Sequence, residues 1–489
     1  MTCQTDLRLL RHNAMIGHRF VIILNLCLFL FGSTQALGSM PEPVTTHPAL
    51  DYQPSVSVDG QTMAFTSMRS GNADIWVQTL KSSALTLPRQ LTAHPANDQE
   101  PALNKAGTQL LYVSHKSDPR GDVYLLDLIT REEQQLTDLI SGDTSPQWDQ
   151  EEEGFFYLKH DPLQGTSAIY RKSFSDLAEE LIVPQATSFS SNRNGQLLFS
   201  NDTGLTLMNL PDNRSIPLNQ KEHTLNLWPA LDRYTSETST TFSVFFSQYA
   251  RDTNNDGLID IDDESSMWMS LLDAQTHTST HLYQLTPAHQ FHAYPSVSKE
   301  FLYYSDLEAG NIFRINITAF LKDYADLEHA KTLASSYQDY GQLDQALLVL
   351  NNISHNLLSQ QSPDAQAAFD FSLAETETQR ENFHRARQTL QPYTNKPGRI
   401  GALARIQAIA LRVREQAKNV SSTERRRRVA IGVSELLSIG QKHRKLNEVY
   451  GQALIEAGRL YLFADDPLTA LEYLVKVDDV RNNDIRAKG

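Results

Sequence analysis

Six short runs of apolar and aromatic residues recur along the first two thirds of the chain. They are MAFTS from Met63, LLYVS from Leu110, FFYLK from Phe155, LLFSN from Leu197, VFFSQ from Val244 and FLYYS from Phe301. Their third residues lie 47, 45, 42, 47 and 57 positions apart. Aromatic and β-branched residues bounded by turns predict β-strands. A second such segment follows each run, so the pattern predicts six strand–turn–strand units.

Turn signals and prolines mark the same units. Asp59-Gly60, Ala106-Gly107, Glu153-Gly154 and Asn194-Gly195 precede four of the runs, and a proline opens five units, at positions 54, 101, 146, 229 and 295. One unit has an exposed sheet edge and cannot bury both of its faces alone. Radial repetition solves this problem, so we predict a six-bladed β-propeller with four strands per blade. The alternative is a β-sandwich whose periodicity is accidental.

Two of the units carry a family resemblance. PSVSVDGQTMAFTSMRSGNADIWVQTL and PALNKAGTQLLYVSHKSDPRGDVYLLDL resemble the WD40-like (PD40) repeats of TolB-like six-bladed propellers, which prolyl-oligopeptidase-like enzymes share. The resemblance covers about residues 45–315 and is weaker in the fourth unit, which lacks the proline, and in the fifth, which lacks the glycine turn. TolB has a small α/β domain ahead of its propeller, and we expect no room for one here. The resemblance therefore implies the propeller but not TolB's role in the Tol-Pal system.

The fifth unit contains an insertion. Phe246 and Trp268 are 22 positions apart, whereas the equivalent Phe65 and Trp76 are 11 apart. The excess coincides with DTNNDGLIDIDD, residues 252–263, in which oxygen-bearing side chains alternate around Gly257. This spacing is typical of a calcium loop. The predicted ligands are Asp252, Asn254, Asp256, the carbonyl of Leu258, Asp260 and Asp263.

Calcium binding by this loop is expected to be structural. Calcium prefers hard oxygen ligands at flexible geometry. Asp263 stands where a bidentate Glu is usual, and Glu264 could substitute for it. The flanking segments are strands, so the loop is not an EF-hand. A catalytic metal would need an open coordination position and a base, for which the sequence offers no candidate. The alternative is a solvated acidic turn, since Asn, Asp and Gly favour turns without any ion.

Helical periodicity replaces the strand pattern after Ile315. Three segments repeat the small and aromatic residues of a tetratricopeptide (TPR) helix pair, with their central alanines at 346, 386 and 470, which leaves room for one further pair. We predict a TPR-like helical domain over residues 316–489, with a plain helical bundle as the alternative. An exposed, protease-sensitive junction is expected between Asn316 and Leu327. The basic runs ERRRR from Glu424 and KHRK from Lys442 are expected to form a solvated helix face or to dock an acidic partner.

The N-terminus predicts export. His18 and Arg19 precede an apolar run from Phe20 to Phe31 and then small residues, so residues 1–38 read as a signal peptide cleaved after Ala36 or Gly38. About twelve apolar residues are few for a bilayer span, and a retained anchor is the alternative. Cleavage would remove both cysteines of the chain, which excludes disulfides and thiol catalysis from the mature protein. The expected location is the periplasm or the exterior of a bacterium.

Net charge and sequence motifs argue against several classes of function. The 489 residues carry a net charge of -15, and those through Ile315 hold 20 basic against 37 acidic side chains. Such an acidic surface argues against nucleic acid as a partner. The Gly-x-Ser-x-Gly elbow of a hydrolase is absent. His289 and His292 lack a third ligand at a recognisable spacing and are interpreted as turn histidines.

These observations predict a non-catalytic protein-interaction scaffold of the cell envelope, whose partner is a protein or peptide. The alternative is a sensory propeller that binds a peptide or carbohydrate and feeds a separate effector.

Overall fold

The computed structural model describes residues 40–488 except 82–83, 86, 139–140, 193–194, 219–223, 232–240, 288–289, 325–326 and 359–360. The predicted signal peptide, residues 1–38, lies outside the described residues. No helix within the described ranges is long and apolar enough to cross a membrane.

Six antiparallel sheets form the first part of the fold, and we number them as blades in chain order. Blade one contains β2 Asp51–Val56, β3 Thr62–Ser67, β4 Asp74–Lys81, β5 Ala84–Leu85 and β6 Arg89–Gln90. Blade two contains β7 Asp98–Leu103, β8 Gln109–Ser114, β9 Asp122–Asp127 and β10 Glu133–Gln135. Blade three contains β11 Gly142–Trp148, β12 Gly154–Asp161, β13 Thr166–Ser173 and β14 Glu179–Val183.

Blade four contains β15 Ser188–Ser191, β16 Gln196–Asn201, β17 Gly204–Asn209 and β18 Arg214–Leu218. Blade five contains β19 Leu225–Leu231, β20 Thr241–Tyr249, β21 Ser265–Asp273 and β22 Ser279–Gln284. Blade six contains β23 His292–Ser298, β24 Phe301–Asp306, β25 Asn311–Asn316 and the N-terminal strand β1 Glu42–Pro43. The first strands of the blades contact one another in a closed cycle, in which β2 touches both β7 and β23. The predicted six-bladed propeller is confirmed.

The ring is closed by β1. This strand pairs with β25 as the outer strand of blade six, with Glu42 opposite Arg314 and an ion pair of 2.9 Å between their side chains. The propeller thus takes in residues ahead of the predicted start at 45. Because the two ends of the ring share one sheet, the closure rests on backbone pairing.

The predicted aromatic runs are the second strands of the blades. Their central residues lie directly opposite the aromatic residue of the next strand in four blades, the pairs being Phe65–Trp76, Tyr112–Tyr124, Tyr157–Tyr170 and Phe246–Trp268. Such cross-strand aromatic pairs stabilise a sheet and pack between blades. The recurring spacing in the sequence therefore has a direct structural cause.

Nine helices follow in the described part of the chain. They are α1 Ile317–Asp323, α2 Leu327–Asp339, α3 Leu343–Asn356, α4 Pro363–Gln379, α5 Phe383–Thr394, α6 Gly398–Ala417, α7 Ser422–Lys442, α8 Asn447–Phe463 and α9 Pro467–Lys488. Helices α2 to α9 pack as four consecutive hairpins. The hairpin α6–α7 occupies the place left for one further pair. The assignment of these hairpins as TPR-like stays a prediction.

Small residues allow the two helices of a hairpin to pack closely. A Cβ atom on Gly432 of α7 would lie 2.2 Å from a methyl of Val413 on α6, and one on Gly458 of α8 would lie 2.7 Å from Leu474 on α9. Ala386 and Ala470 are fully buried at the equivalent contacts. These positions leave space for nothing larger than the residue present.

The segment after Asn316, where a protease-sensitive junction is predicted, begins as a helix and not as an extended linker. Asn316 ends β25 and its side chain accepts a hydrogen bond from the N–H of Ala319, so that α1 begins without a linker. Ile317, Phe320 and Tyr324 are buried in one hydrophobic cluster with residues of blades five and six and of α2 to α4. The helical periodicity marked the change of element correctly, but it did not reveal that the apolar face of α1 covers the propeller.

Two asparagines of α3 attach the helices to the edge of blade five. Asn352 accepts from the N–H of Gln284 and donates to its carbonyl, both at 2.8 Å. Asn356 does the same with Leu282, at 3.1 and 2.9 Å. Two residues four apart in the helix thus pair with two residues two apart in the strand. The side-chain amides replace a neighbouring strand and cover the open edge of the sheet.

Candidate functional site: the propeller channel and the insertion

The inner strands line a central channel and share an unusual backbone. In five of the six blades the residue before the proline has a positive φ between 46° and 56°, and these residues are Gln53, Glu100, Ser145, Trp228 and Tyr294. A register shift accompanies each of them. Blade four, which lacks the proline, pairs without a shift. The prolines that open these five units therefore mark β-bulges on the channel wall. A bulge tolerates proline because the residue there need not donate a backbone N–H to the next strand.

In blades two, three and five, a side chain of the preceding blade accepts the backbone N–H that the bulge leaves free. Gln53 Oε1 accepts from the N–H of Glu100 at 3.1 Å, and Glu100 Oε2 accepts from the N–H of Ser145 at 2.5 Å. Ser188 Oγ accepts from the N–H of Trp228 at 3.0 Å. Burial raises the pKa of Glu100, and the N–H of Ser145 opposes this effect. Glu100 therefore serves as a hydrogen-bond acceptor within the channel wall.

Aromatic side chains gather on one side of the channel. Tyr52, Trp228, Tyr249 and Tyr294, from blades one, five and six, form what we call the aromatic patch. The Trp228 ring lies 4.5 Å from that of Tyr294 and 6.0 Å from that of Tyr249, and Tyr52 lies 6.3 Å from Tyr294. All but Tyr249 are only half-buried. The aromatic patch offers apolar surface beside the Gln53 and Glu100 side chains.

The channel is narrow. Its central cavity has a volume of about 140 Å³ and is lined by all six inner strands. Pockets that enclose a small molecule usually have volumes of ~300–1,000 Å³. The cavity is therefore smaller than the usual pocket for a small-molecule substrate.

The ends of the outermost strands carry a repeated hydrogen-bond pattern that sequence reasoning missed. The hydroxyl of a threonine just after the outermost strand accepts from the N–H of the first apolar residue in the third strand of the same blade, in Ile75 to Thr92 at 3.0 Å, Val123 to Thr137 at 2.9 Å and Met267 to Thr286 at 2.9 Å. Thr45 repeats the contact with Ile312 at 3.0 Å. The recurring dipeptides at 91–92, 136–137 and 285–286 were the available signal.

Buried carboxylates lie where blade one meets blade two and where blade two meets blade three. Asp98, Asp122 and Asp143 are almost fully buried, and each has one carboxylate oxygen without a hydrogen-bond partner. Burial, followed by repulsion from Asp143, raises the pKa of Asp122 to about 6. Burial likewise raises the pKa of Asp143 to about 6. In blade six, His292 takes the place of the aspartate and binds Thr286 at 2.8 Å. His289 lies outside the described residues.

The insertion lies in the β20–β21 hairpin of blade five, as predicted. Asp252 accepts from the N–H of Asp256 at 3.2 Å and of Gly257 at 2.9 Å, with Gly257 at φ 94°. Asp256 accepts from the N–H of Leu258 at 2.9 Å, and Asp260 from that of Asp262 at 2.9 Å. The side-chain oxygens of Asp252, Asp256 and Asp260 therefore organise the turn through its backbone.

Asp263 anchors the two ends of the insertion. It is fully buried and accepts from the N–H groups of Thr253 at 2.6 Å, Asn254 at 3.2 Å and Asp260 at 3.0 Å. Burial acts to raise the pKa of Asp263, but these hydrogen bonds outweigh it and the pKa is lowered. The donor chemistry of the loop suits calcium. Among the residues that the structure describes, no three His, Cys, Asp or Glu side chains are gathered as a metal centre.

The arginine run that follows Glu424 contacts the end of the preceding helix, α6. Arg425 donates to the carbonyls of Ala417 and Lys418, and Arg428 donates to that of Gln416 at 2.6 Å. The last carbonyls of a helix lack intrahelical partners and attract cations. Part of the arginine run is therefore used at the α6–α7 turn.

No protein-family model matches the chain, and no curated protein matches it. Among solved structures, a protein assigned as TolB from Agrobacterium tumefaciens is 13% identical, with 56% of this chain and 91% of that one covered and a TM-score of 0.41. TolB from Acinetobacter baumannii is 12% identical over 53% of this chain and 64% of that one, with a TM-score of 0.37.

A gluconolactonase from Xanthomonas campestris is 10% identical over 57% of this chain and 89% of that one, with a TM-score of 0.40. The protein is a six-bladed propeller followed by helices. That assignment rests on the sheets described above, and similarities this distant say nothing about activity.

Proposed function

We propose that this protein is a non-catalytic binding protein of the cell envelope, whose propeller holds a peptide or protein segment at the aromatic patch. The half-buried rings of Tyr52, Trp228 and Tyr294 beside a polar channel wall support this most directly. Tyr and Trp dominate the energetics of protein interfaces because they combine large apolar area with few rotamers.

A binding role agrees with the use of the titratable groups at the channel. Glu100 and Gln53 accept backbone hydrogen bonds, so they hold the wall in place. The cavity volume of about 140 Å³ favours insertion of one side chain over enclosure of a substrate. The helical region then presents a second surface at a fixed position, because Asn352 and Asn356 attach it to blade five.

The predicted signal peptide supports a location in the cell envelope. The basic, apolar and small-residue succession within residues 1–38 is that of a signal peptide. In a periplasmic or extracellular setting, calcium is available to the insertion. We propose that Asp252, Asn254, Asp256, Leu258, Asp260 and Asp263 hold it as a structural ion that stiffens the hairpin.

Site-specific photo-crosslinking in living cells tests the binding role. A photo-reactive residue at position 52 is expected to trap a discrete protein partner, whereas one at position 163 is not, since Leu163 is 95% exposed on an outer loop of blade three. Trp228→Ala is expected to weaken binding of the trapped partner by about 2 kcal/mol or more, as for an interface hot spot. Identical adducts at both positions would contradict the proposal. A propeller that instead binds glycans in an array would support the sensory alternative.

A further inference from the structure

A second cavity lies between blade five and the helical region. Its volume is about 300 Å³, roughly twice that of the channel cavity. The propeller side is formed by the end of β20, the base of the insertion and the start of β21, and the helical side by α3, the end of α4 and the first turn of α5. Small-molecule sites occur preferentially at such domain junctions, at volumes of ~300–1,000 Å³. We call this cavity the junction cleft.

The walls of the junction cleft are held in position without a ligand. Gln284, which lines it, is paired through its backbone with Asn352. Its floor includes Trp268, Leu347 and Leu348, all less than a tenth exposed. A pre-formed site with an apolar floor loses little entropy when a ligand binds.

The junction cleft contains more basic than acidic side chains, whereas the whole molecule is acidic. Three arginines line it, at positions 251, 380 and 385, against the two acids Glu264 and Asp344. The whole chain has a net charge of -15. Cations concentrated in one cleft of an acidic protein point to an anionic ligand.

The arginines differ in how far they are already engaged. Arg380 is paired with Asp344 at 2.7 Å. Arg385 uses its Nε for Glu377 at 3.1 Å, and its side chain is 41% exposed. Arg251 makes no ion pair with any residue that the structure describes. The guanidinium groups of Arg251 and Arg385 therefore have donors to offer, and a planar guanidinium fork matches a carboxylate.

We infer that the junction cleft binds a small organic di- or tricarboxylate, with Arg251 and Arg385 on its carboxylates and the Trp268–Leu348 floor under its carbon chain. The inference is separate from the proposed function, because the aromatic patch lies on the channel and shares no residue with this cleft. If the ligand fails to bind, the peptide-binding role is untouched.

Isothermal titration of the full mature chain with succinate and with citrate tests this inference. Sodium sulfate and sodium chloride at equal ionic strength serve as references, since screening alone changes surface electrostatics. One saturable site is expected for a carboxylate. Arg251→Ala is expected to weaken binding about 10- to 100-fold, as for the loss of one charge-assisted hydrogen bond. Arg427→Ala, at a 72% exposed side chain on α7, is expected to leave the affinity unchanged.

Arg385→Lys keeps the charge but removes the fork, and is expected to weaken binding less than Arg251→Ala does. Equal affinity of wild type and Arg251→Ala would overturn the inference. Equal affinity for sulfate and the carboxylates would overturn the assignment of the ligand class, and absence of any saturable heat would remove the site. Circular dichroism and melting of each variant separate these outcomes from loss of the fold.

Discussion

The propeller and the helical region hold their repeats together by opposite means. Blades meet through polar contacts, such as those in which Ser55 Oγ accepts from the N–H of Leu103 and Glu100 Oε2 accepts from the N–H of Ser145 in the next blade. Helix hairpins meet where small residues leave room for close packing, as at Gly440 of α7, where an added Cβ would lie 2.7 Å from that of Ala453 on α8. Sheet edges and bulges leave backbone groups to satisfy, whereas helices satisfy theirs internally. The propeller is therefore expected to respond to deleted hydrogen bonds and to pH, and the helices to added methyl groups.

The junction between the propeller and the helical region is held both by hydrogen bonds and by close packing. Its disruption is expected to lower the free energy of unfolding more than any other change considered below. Asn352→Ala would leave the N–H and the carbonyl of Gln284 unpaired in a buried site. Each unsatisfied group costs about 1–3 kcal/mol. We expect roughly 2–4 kcal/mol of destabilisation in urea unfolding, with separate transitions for propeller and helices.

Limited proteolysis provides a second readout of the same variant. The wild type is expected to resist cleavage around α1, because Ile317 and Phe320 are buried. Asn352→Ala is expected to release propeller and helical fragments. Gln391→Ala, on the exposed face of α5, serves as control and is expected to change stability by less than about 0.5 kcal/mol. Equal digestion of wild type and Asn352→Ala would show that the asparagine contacts do not hold the regions together.

Two glycines of the helical region test the role of volume. Gly432→Ala places a Cβ 2.2 Å from a methyl of Val413, and a β-branched valine has little freedom to turn away within a helix. We expect a loss of about 1–3 kcal/mol. Gly451→Ala is the matched control, since nothing lies within 4 Å of its new Cβ. It is expected to gain about 0.5–1 kcal/mol from helix propensity. The same sign for both variants in thermal melts would contradict volume control.

The acid pair at the seam of blades two and three tests the response to pH. Burial raises the pKa of Asp143 to about 6 in the fold, from an ordinary value of 3.8. The folded state therefore binds a proton that the unfolded chain releases, so the free energy of unfolding falls as pH rises from about 4 to 6. Asp143→Asn removes this penalty. We expect the variant to be about 1–3 kcal/mol more stable than wild type at pH 8 and equal to it near pH 4.

The comparison across pH must be made between variants, because other carboxylates have opposite trends. The pKa values of Glu133, Glu179 and Asp306 are lowered, and their stabilisation is lost on acidification. Asp339→Asn, at an exposed end of α2, is the control for the loss of one surface carboxylate and is measured at the same pH values. A difference between Asp143→Asn and wild type that does not shrink toward pH 4 would contradict a raised pKa.

Much of this architecture is visible in the sequence, because aromatic strands and turn glycines are local signals. Phe65 and Trp76 face each other, and their spacing alone revealed the lengthened hairpin of blade five. The contacts between repeats were not visible in the same way. Asn352 looks like an ordinary polar residue of a helix until the edge of β22 lies beside it. Glu100 acts across the boundary between blades two and three, and the junction cleft depends on two domains meeting, so neither follows from local periodicity.

Calcium is expected to act on the propeller alone and to have the smallest effect. At calcium about ten times above its Kd, the proposed site would contribute about 1.4 kcal/mol to the unfolding free energy. Asp256→Ala is expected to abolish this increment, whatever it costs in the absence of calcium. Asp262→Ala is the matched control, since Asp262 lies exposed in the same loop but outside the proposed ligand set. The measurement is the difference between melts in calcium and in chelator for each variant. An increment that survives Asp256→Ala, or one that moves the helical transition instead, would place the ion elsewhere, and no increment in wild type would leave the insertion an ion-free turn organised by Asp263.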